Sequence, residues 1–251
     1  MKRFDGDNGL FISNFVSSGS GGLNLTQEVA FGSDGHLYVS GRGNSSILKY
    51  DKTTGAFLGE FTKGYALDEP TKMTFGPDDK LYVSQWGKSK TKVARFDSKT
   101  GVFIDEITSG LNQGMSHAWD GDGNLYIVSF GSKDVKKYDA AGNFIKVVTS
   151  GGNLQGPVNL WFGSDGMLYV VDWETGSVQL FDGHTGAFVR TFISGLSRVE
   201  GHAFDRNGKL YLCDWVNNVI NQYEAATGKF ITTFISGHGI SQPNSIAIRF
   251  K

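Results

Sequence analysis

Each copy of a Leu-Tyr-Val-like segment in this chain is followed by two residues with the chemistry of a binding site. In four of five copies the pair joins an aromatic ring to a small or polar side chain; the five pairs are Gly41-Arg42, Gln85-Trp86, Ser129-Phe130, Asp172-Trp173 and Asp214-Trp215. Tryptophan and phenylalanine offer a large, rigid contact surface, and tryptophan adds a polar handle. A ring beside an amide or a carboxylate suits a sugar, whose C–H face lies on the ring while its hydroxyls meet the polar group.

The sequence therefore predicts a ligand-binding rim, whose members are Gln85, Trp86, Phe130, Asp172, Trp173, Asp214 and Trp215. The alternative interpretation is that these rings cover strand ends and pack on the next loop.

His117 and His202 occupy a position that is apolar in the other copies, which indicates core histidines. The sequence contains no Gly-x-Ser-x-Gly, no His-Glu-x-x-His and no phosphate-cradling loop. Enzymatic activity is therefore undecided, with the balance against it.

These pairs recur because the chain is an internal repeat. An aromatic anchor marks each copy, and successive anchors lie 42 to 44 residues apart at Phe31, Phe75, Trp119, Phe162 and Phe204. Every copy contains four short runs rich in β-branched and aromatic residues, separated by turn residues. Four antiparallel strands in about 43 residues are typical of one blade of a β-propeller.

The two ends of the chain extend this pattern to a sixth blade. Residues 244–250 match a first strand, Phe4-Asp5 matches the end of a third strand, and residues 9–15 match a fourth. The predicted fold is all-β: a six-bladed β-propeller whose ring is closed by pairing of the N- and C-terminal strands. Because about 12 residues are missing at this junction, the sixth blade is predicted to have three strands. The whole chain, residues 1–251, is predicted to be a single domain.

The composition excludes several classes of protein. The 24 Lys and Arg residues nearly balance the 25 Asp and Glu residues, whereas nucleic-acid binders carry a basic surplus. No run of about 18 apolar residues is present, so no membrane span is predicted. The single cysteine, Cys213, excludes a disulfide framework and a cysteine-cluster metal site.

The blade unit resembles the NHL repeat, most clearly at residues 243–248 and 168–172. It is also similar to the blades of streptogramin lyases and of gluconolactonase-like calcium enzymes. The segment at residues 51–57 is similar to secreted bacterial members of this group, which implies a secreted or cell-surface location. The resemblance implies the fold of the blade and leaves the function open, because propellers host unrelated functions.

The resemblance to gluconolactonase-like enzymes also implies a metal site at the mouth of the axial tunnel. Those enzymes hold one divalent ion with oxygen ligands, and the matching residues here are Glu200, Asn244 and Glu28, with Gln27 beside it. Such ligands suit calcium. The alternative is that no cofactor is bound and that hydrogen-bonded polar residues line a wet tunnel. Lys72 belongs to the same set of positions and would repel a cation.

Three functions follow as hypotheses. The first is a non-enzymatic, lectin-like binding module, because repeated weak sites suit a multivalent glycan or another surface ligand. The second is a metal-dependent lactonase- or lyase-like enzyme that uses the tunnel mouth. The third is a protein-interaction scaffold, which the sequence does not separate from the first.

Overall fold

The computed structural model describes residues 1–87, 89, 91–150 and 154–250. In these ranges the chain is built from short antiparallel strands, with two short 3-10 turns at Ser20–Gly22 and Arg42–Asn44. Five sheets have four strands each, and every sheet pairs its strands in chain order, so that each sheet is one blade. No helix among the described residues is long and apolar enough to cross a membrane.

The strands divide among the sheets in chain order. A two-stranded sheet consists of β1 (Lys2–Phe4) and β2 (Phe11–Asn14). Blades 1 and 2 consist of β3 (Thr26–Phe31), β4 (Leu37–Gly41), β5 (Ser46–Tyr50), β6 (Phe57–Glu60), β7 (Pro70–Phe75), β8 (Lys80–Gln85), β9 (Val93–Asp97) and β10 (Phe103–Ile107). Blades 3 and 4 consist of β11 (Gly114–Trp119), β12 (Leu125–Ser129), β13 (Asp134–Tyr138), β14 (Phe144–Ser150), β15 (Pro157–Phe162), β16 (Leu168–Asp172), β17 (Ser177–Phe181) and β18 (Phe188–Ile193). Blade 5 consists of β19 (Val199–Phe204), β20 (Lys209–Asp214), β21 (Val219–Glu224) and β22 (Phe230–Ile235).

The predicted all-β propeller is confirmed, but the prediction of six blades is wrong, because the structure has five complete blades. Residues 241–250 form no strand, so the predicted three-stranded sixth blade and the pairing of the N- and C-terminal strands are wrong as well. A strand needs a neighbour to satisfy its backbone groups. Among the described residues, no second strand lies beside this segment to pair with it. That residues 1–251 form a single domain stays a prediction.

Close contacts of two turns place the N-terminal two-stranded sheet between blades 5 and 1. Gly9, between β1 and β2, lies so close to blade 5 that a Cβ there would be 2.2 Å from the main-chain oxygen of Phe234. Gly55, in the matching turn of blade 1, would place a Cβ 1.9 Å from the main-chain oxygen of Phe15. Both glycines have a positive φ, 73° and 71°, which other residues adopt at a cost. The two-stranded sheet therefore fills the place between blades 5 and 1.

The C-terminal segment bridges the same junction through its side chains. Ile246 and Ile248 pack against a buried cluster of blade 5. On blade 1, the main-chain N–H of Val29 donates a hydrogen bond to Ser245 Oγ at 3.3 Å. Gly201 of β19 permits this approach, because a Cβ at that position would lie 2.6 Å from Ser245 Cα. The segment thus connects blades 5 and 1 without a backbone ladder.

The second strand of every blade is buried on both faces, because neighbouring blades stack against it. Its central tyrosine would leave a hydroxyl without a partner in such a core. An aspartate of the preceding turn accepts a hydrogen bond from each hydroxyl at 2.9–3.2 Å; the pairs are Tyr38–Asp34, Tyr82–Asp78, Tyr126–Asp120, Tyr169–Asp165 and Tyr211–Asp205. The turn between the first and second strands of each blade therefore also satisfies the tyrosine hydroxyl of its core.

Candidate functional site

The four predicted rim aromatics lie just beyond the ends of the second strands and form two pairs from neighbouring blades. Trp86 of blade 2 and Phe130 of blade 3 have ring centroids 5.1 Å apart at an angle of 52°. Trp173 of blade 4 and Trp215 of blade 5 are 5.2 Å apart at 64°. Each ring is half-buried, so part of its surface is open to a ligand. The structure thus brings the predicted rings together along the rim.

Two arginines extend these aromatic pairs. The guanidinium of Arg42 lies 5.3 Å from the centre of the Trp86 ring and is held by Glu69 at 2.7 Å. The guanidinium of Arg198 lies 5.7 Å from the centre of the Trp173 ring. A cation within about 6 Å of a ring centre is attracted by the ring face. Arg42 occupies the blade 1 position that is aromatic elsewhere, and this is the signal in the sequence that could have identified it.

A groove opens beside the rim where the loops of blades 3 and 4 meet. Its volume is about 530 Å³, and its lining residues are Phe130, Gly131, Lys133, Gln155 and Glu174. Gly156 keeps part of this space open, because a Cβ there would lie 2.9 Å from Phe130 and 2.7 Å from Glu174. Lys133 and Glu174 are exposed and give the groove charges of opposite sign. These charged residues are not repeated in the other blades, so the repeat pattern could not identify them.

Asp172, a predicted polar partner of the rings, organises a loop. It is fully buried, with 0% of its surface exposed. Its carboxylate accepts hydrogen bonds from the main-chain N–H groups of Gln155 (2.7 Å), Gly156 (3.0 Å) and Thr175 (3.0 Å). The same carboxylate therefore fixes both loops that border the groove on blade 4.

Asp214 and Gln85, like Asp172, are buried and accept hydrogen bonds from neighbouring loops. Buried Asp214 accepts hydrogen bonds from the main-chain N–H of Ser197 at 3.1 Å and from Asn217 Nδ2 at 3.0 Å. Buried Gln85 accepts one from the main-chain N–H of Asp68 at 3.0 Å. These polar side chains hold the loops that carry the rings. Direct contact between them and a ligand stays a prediction.

Replacing Asp172 with alanine is expected to lower the free energy of unfolding by about 3–5 kcal/mol, because several main-chain N–H groups lose their acceptor. Urea unfolding followed by fluorescence measures this change. Asp122→Ala is the matched control, because the Asp122 side chain is exposed in a turn of blade 3 and its loss should cost less than about 0.5 kcal/mol. Equal unfolding midpoints for the two variants would contradict the role of Asp172 in the loops.

The innermost strands carry the second set of predicted residues, those around the axis. Each innermost strand shows a register shift in its pairing with the second strand of its blade. In β7 and β19 the shift spans Lys72 and Glu200. A bulge of this kind bends the strand and redirects its side chains. Residues far apart in the sequence therefore meet at the axis.

Lys72 and the predicted metal ligands form one cluster there. Lys72 Nζ lies 2.9 Å from Glu28 Oε2 and 3.0 Å from Glu200 Oε1, and it donates a hydrogen bond to the main-chain oxygen of Asn244 at 3.4 Å. Burial raises the pKa of Glu200, and the nearby ammonium offsets part of this effect. Burial lowers the pKa of Lys72, but Glu200 and Glu28 outweigh it and hold that pKa above its ordinary value. Lys72 is therefore an ammonium.

This cluster does not fit the divalent ion that the resemblance implies. Calcium takes about six to eight oxygen ligands at about 2.3–2.6 Å. Lys72 Nζ stands between the two carboxylates, Glu28 and Glu200, that would have to supply them. Within the described ranges, no group of three or more His, Cys, Asp or Glu side chains is arranged to hold a metal ion. The predicted ligands come together, but around a lysine.

The two histidines of the innermost strands, His117 and His202, differ in their partners. His117 is buried, with Nε2 at 2.8 Å from Ser84 Oγ and Nδ1 at 3.3 Å from Thr74 Oγ1. Burial lowers the pKa of His117 to about 3 and that of His202 to about 4. The His202 ring lies 4.6 Å from the Trp161 ring. Both imidazoles are therefore neutral at pH 7 and take part in packing.

Related sequences contain NHL repeats. No family model matches the chain. The chain is 27% identical over 143 residues to NHL repeat-containing protein 3 of Homo sapiens and 26% identical over 136 residues to the protein of that name from Mus musculus. These matches cover 54% and 51% of this chain but 41% and 39% of the relatives, so the chain spans about two-fifths of their length. The predicted resemblance to NHL repeats is confirmed.

Solved structures with a similar fold are more distant in sequence. A chain in the crystal structure of a nidogen/laminin complex gives a TM-score of 0.74 at 17% identity, over 89% of this chain and 84% of that chain. A streptogramin B lyase gives 0.68 at 14% identity, over 92% and 74%. Virginiamycin B lyase from Staphylococcus aureus gives 0.66 at 15% identity, over 88% and 73%. Similarity at these identities shows the propeller fold alone.

Proposed function

We propose that this propeller of NHL-like blades is a non-enzymatic binding module that takes a protein partner on its aromatic rim. The observation that carries the proposal is the groove of about 530 Å³ between the loops of blades 3 and 4, beside the half-buried rings. Protein interfaces join aromatic anchors to a polar border in this way. Here Phe130 supplies an apolar wall, while Lys133 and Glu174 supply charges of opposite sign.

Two features favour a polypeptide ligand. The rim joins tryptophan to arginine at Arg42–Trp86 and Arg198–Trp173, and these residue types dominate the binding energy of protein interfaces. In addition, one propeller of similar fold comes from a nidogen/laminin complex. That likeness is an analogy between folds, and it gives one example of a similar propeller in a protein complex.

A glycan is the second candidate ligand. The observation in its favour is that half-buried rings recur on four blades, since several weak contacts with a repeated ligand can gain on the order of 10²–10⁴ in avidity. The groups expected to meet sugar hydroxyls, Gln85, Asp172 and Asp214, are buried and bound to loops, so the glycan ranks second. Both ligand classes suit a secreted or cell-surface protein, which forms part of the proposal.

A metal-dependent lactonase- or lyase-like activity has less support. It would use acidic groups at the tunnel mouth, and Glu28 and Glu200 are already engaged by Lys72. The similar lyase structures share the fold at 14–15% identity. Fold similarity at this level carries no argument for a shared reaction.

The purified protein, probed with a displayed peptide library and with a glycan array, tests the proposal. We expect enrichment of peptides that contain apolar and acidic residues. Lys133→Glu should weaken their binding at least about tenfold, because it places like charges together in the groove. Lys146→Glu is the matched control, since Lys146 is an exposed lysine of β14 outside the groove.

Three results would count against this function or redirect it. Absence of any enriched peptide contradicts a polypeptide ligand. Equal peptide affinities of Lys133→Glu and Lys146→Glu contradict the groove as its site. Retention on the glycan array without peptide enrichment establishes the second candidate instead.

A further inference from the structure

The cluster at the axis is separate from the binding rim and contains a fully buried cation. The Lys72 side chain is only 1% exposed, and it contacts carboxylates that are 16% (Glu28) and 4% (Glu200) exposed. The three residues belong to β7, β3 and β19, so a single ammonium joins blades 2, 1 and 5. Its third contact, the main-chain oxygen of Asn244, belongs to the C-terminal segment.

The hydrogen bonding of this ammonium is complete. A lysine has three N–H donors, and Lys72 Nζ has three oxygen partners at 2.9, 3.0 and 3.4 Å. Each carboxylate also accepts a hydrogen bond from a second side chain. Gln27 Nε2 donates to Glu200 Oε1 at 2.8 Å, and Ser245 Oγ donates to Glu28 Oε1. The surroundings of both carboxylates are therefore built for an ammonium in a fixed position.

The cluster lies at the junction between the last and the first blade. Blades 5 and 1 do not follow each other in the chain, and the C-terminal segment between them forms no strand. Lys72 contacts both of these blades and the segment itself. Without this cation, the buried carboxylate of Glu200 and the half-buried carboxylate of Glu28 would repel each other, and little solvent is present to screen them. The ammonium thus removes this repulsion at the junction where the two ends of the chain meet.

We infer that Lys72 is a built-in structural cation that takes the place of a metal ion at the axis and closes the ring between blades 5 and 1. The fold consequently needs no divalent cation. The resemblance implies an ion at this position. Here the Lys72 ammonium occupies it and forms salt bridges with the predicted ligands Glu28 and Glu200.

Thermal unfolding of the purified protein tests the first consequence. We expect the Tm of the wild type to be the same in EDTA and in millimolar calcium chloride or magnesium chloride. Lys72→Met should lower the Tm by about 6–20 °C, because it leaves the buried Glu200 and the half-buried Glu28 without their cation. Lys49→Met is the matched control, since the pair of Lys49 with Asp34 at 2.7 Å is open to solvent, with side chains 25% and 38% exposed, and solvent-exposed pairs contribute little.

A triple variant separates the loss of the cation from a general packing defect. In Lys72→Met/Glu28→Gln/Glu200→Gln the two carboxylates are neutral as well, so we expect most of the lost Tm, or of the lost soluble yield, to return. Three results would overturn the inference: a wild-type Tm that shifts with calcium or EDTA, a Lys72→Met protein as stable as Lys49→Met, or a triple variant no better than the single one.

Discussion

Deletion of residues 1–15 is expected to abolish cooperative unfolding and to produce aggregates. These residues form the two-stranded sheet between blades 5 and 1. Met1 and Phe15 pack against the buried cluster of blade 1, and Phe4 packs against that of blade 5. Their removal would expose both clusters and a free sheet edge, which is a template for association between chains.

Circular dichroism melts and size-exclusion chromatography measure this outcome. A matched control changes the same sheet without removing it: Leu10→Ser/Ile12→Ser replaces side chains that are 65% and 49% exposed. Surface changes of this kind usually cost less than about 0.5 kcal/mol, so the Tm of the control should stay within about 2 °C of the wild type. A soluble, monomeric truncation with a single sharp transition would show that five blades close without this sheet.

The double substitution Trp173→Ala/Trp215→Ala is expected to weaken binding of the rim ligand by about 30-fold or more. The two rings pack on each other at 5.2 Å and are half-buried, and Arg198 lies over Trp173. Tryptophans with this mixture of packing and exposure are frequent hot spots, each of which costs about 2 kcal/mol or more when truncated. The loss of one such hot spot corresponds to about 30-fold in affinity, which is the smallest effect expected of the double variant.

Surface plasmon resonance with an enriched peptide measures this change, and near-UV circular dichroism verifies the fold of the variant. Phe57→Ala/Phe230→Ala is the matched control, because these rings are 41% and 52% exposed on the outer strands of blades 1 and 5. The control should bind as the wild type does. Wild-type affinity in a folded Trp173→Ala/Trp215→Ala protein would leave the rings with a packing role only.

The candidate site was only partly predictable from the sequence. The pairing of Trp86 with Phe130 follows from equivalent positions in neighbouring blades, because the repeat places them at the same height in the ring. The groove beside them was not predictable, since Lys133 and Glu174 do not recur in the other blades. The burial of Asp172 could not be predicted from the sequence either, because an aspartate at the end of a strand can face either solvent or a loop.

The sequence by itself determined the blade. Each turn aspartate, each Leu-Tyr-Val strand and each aromatic anchor acts within about 43 residues, so the five blades form where the repeat predicts them. Tertiary structure alone decided how the ring closes and what occupies its axis. Residues 244–250 match a first strand in sequence, but among the described residues no strand pairs with them. Glu28, Lys72 and Glu200 meet only because the blades curve round a common axis. A repeat pattern specifies the contacts within one unit, whereas closure and the axial charges depend on contacts between units far apart in the chain.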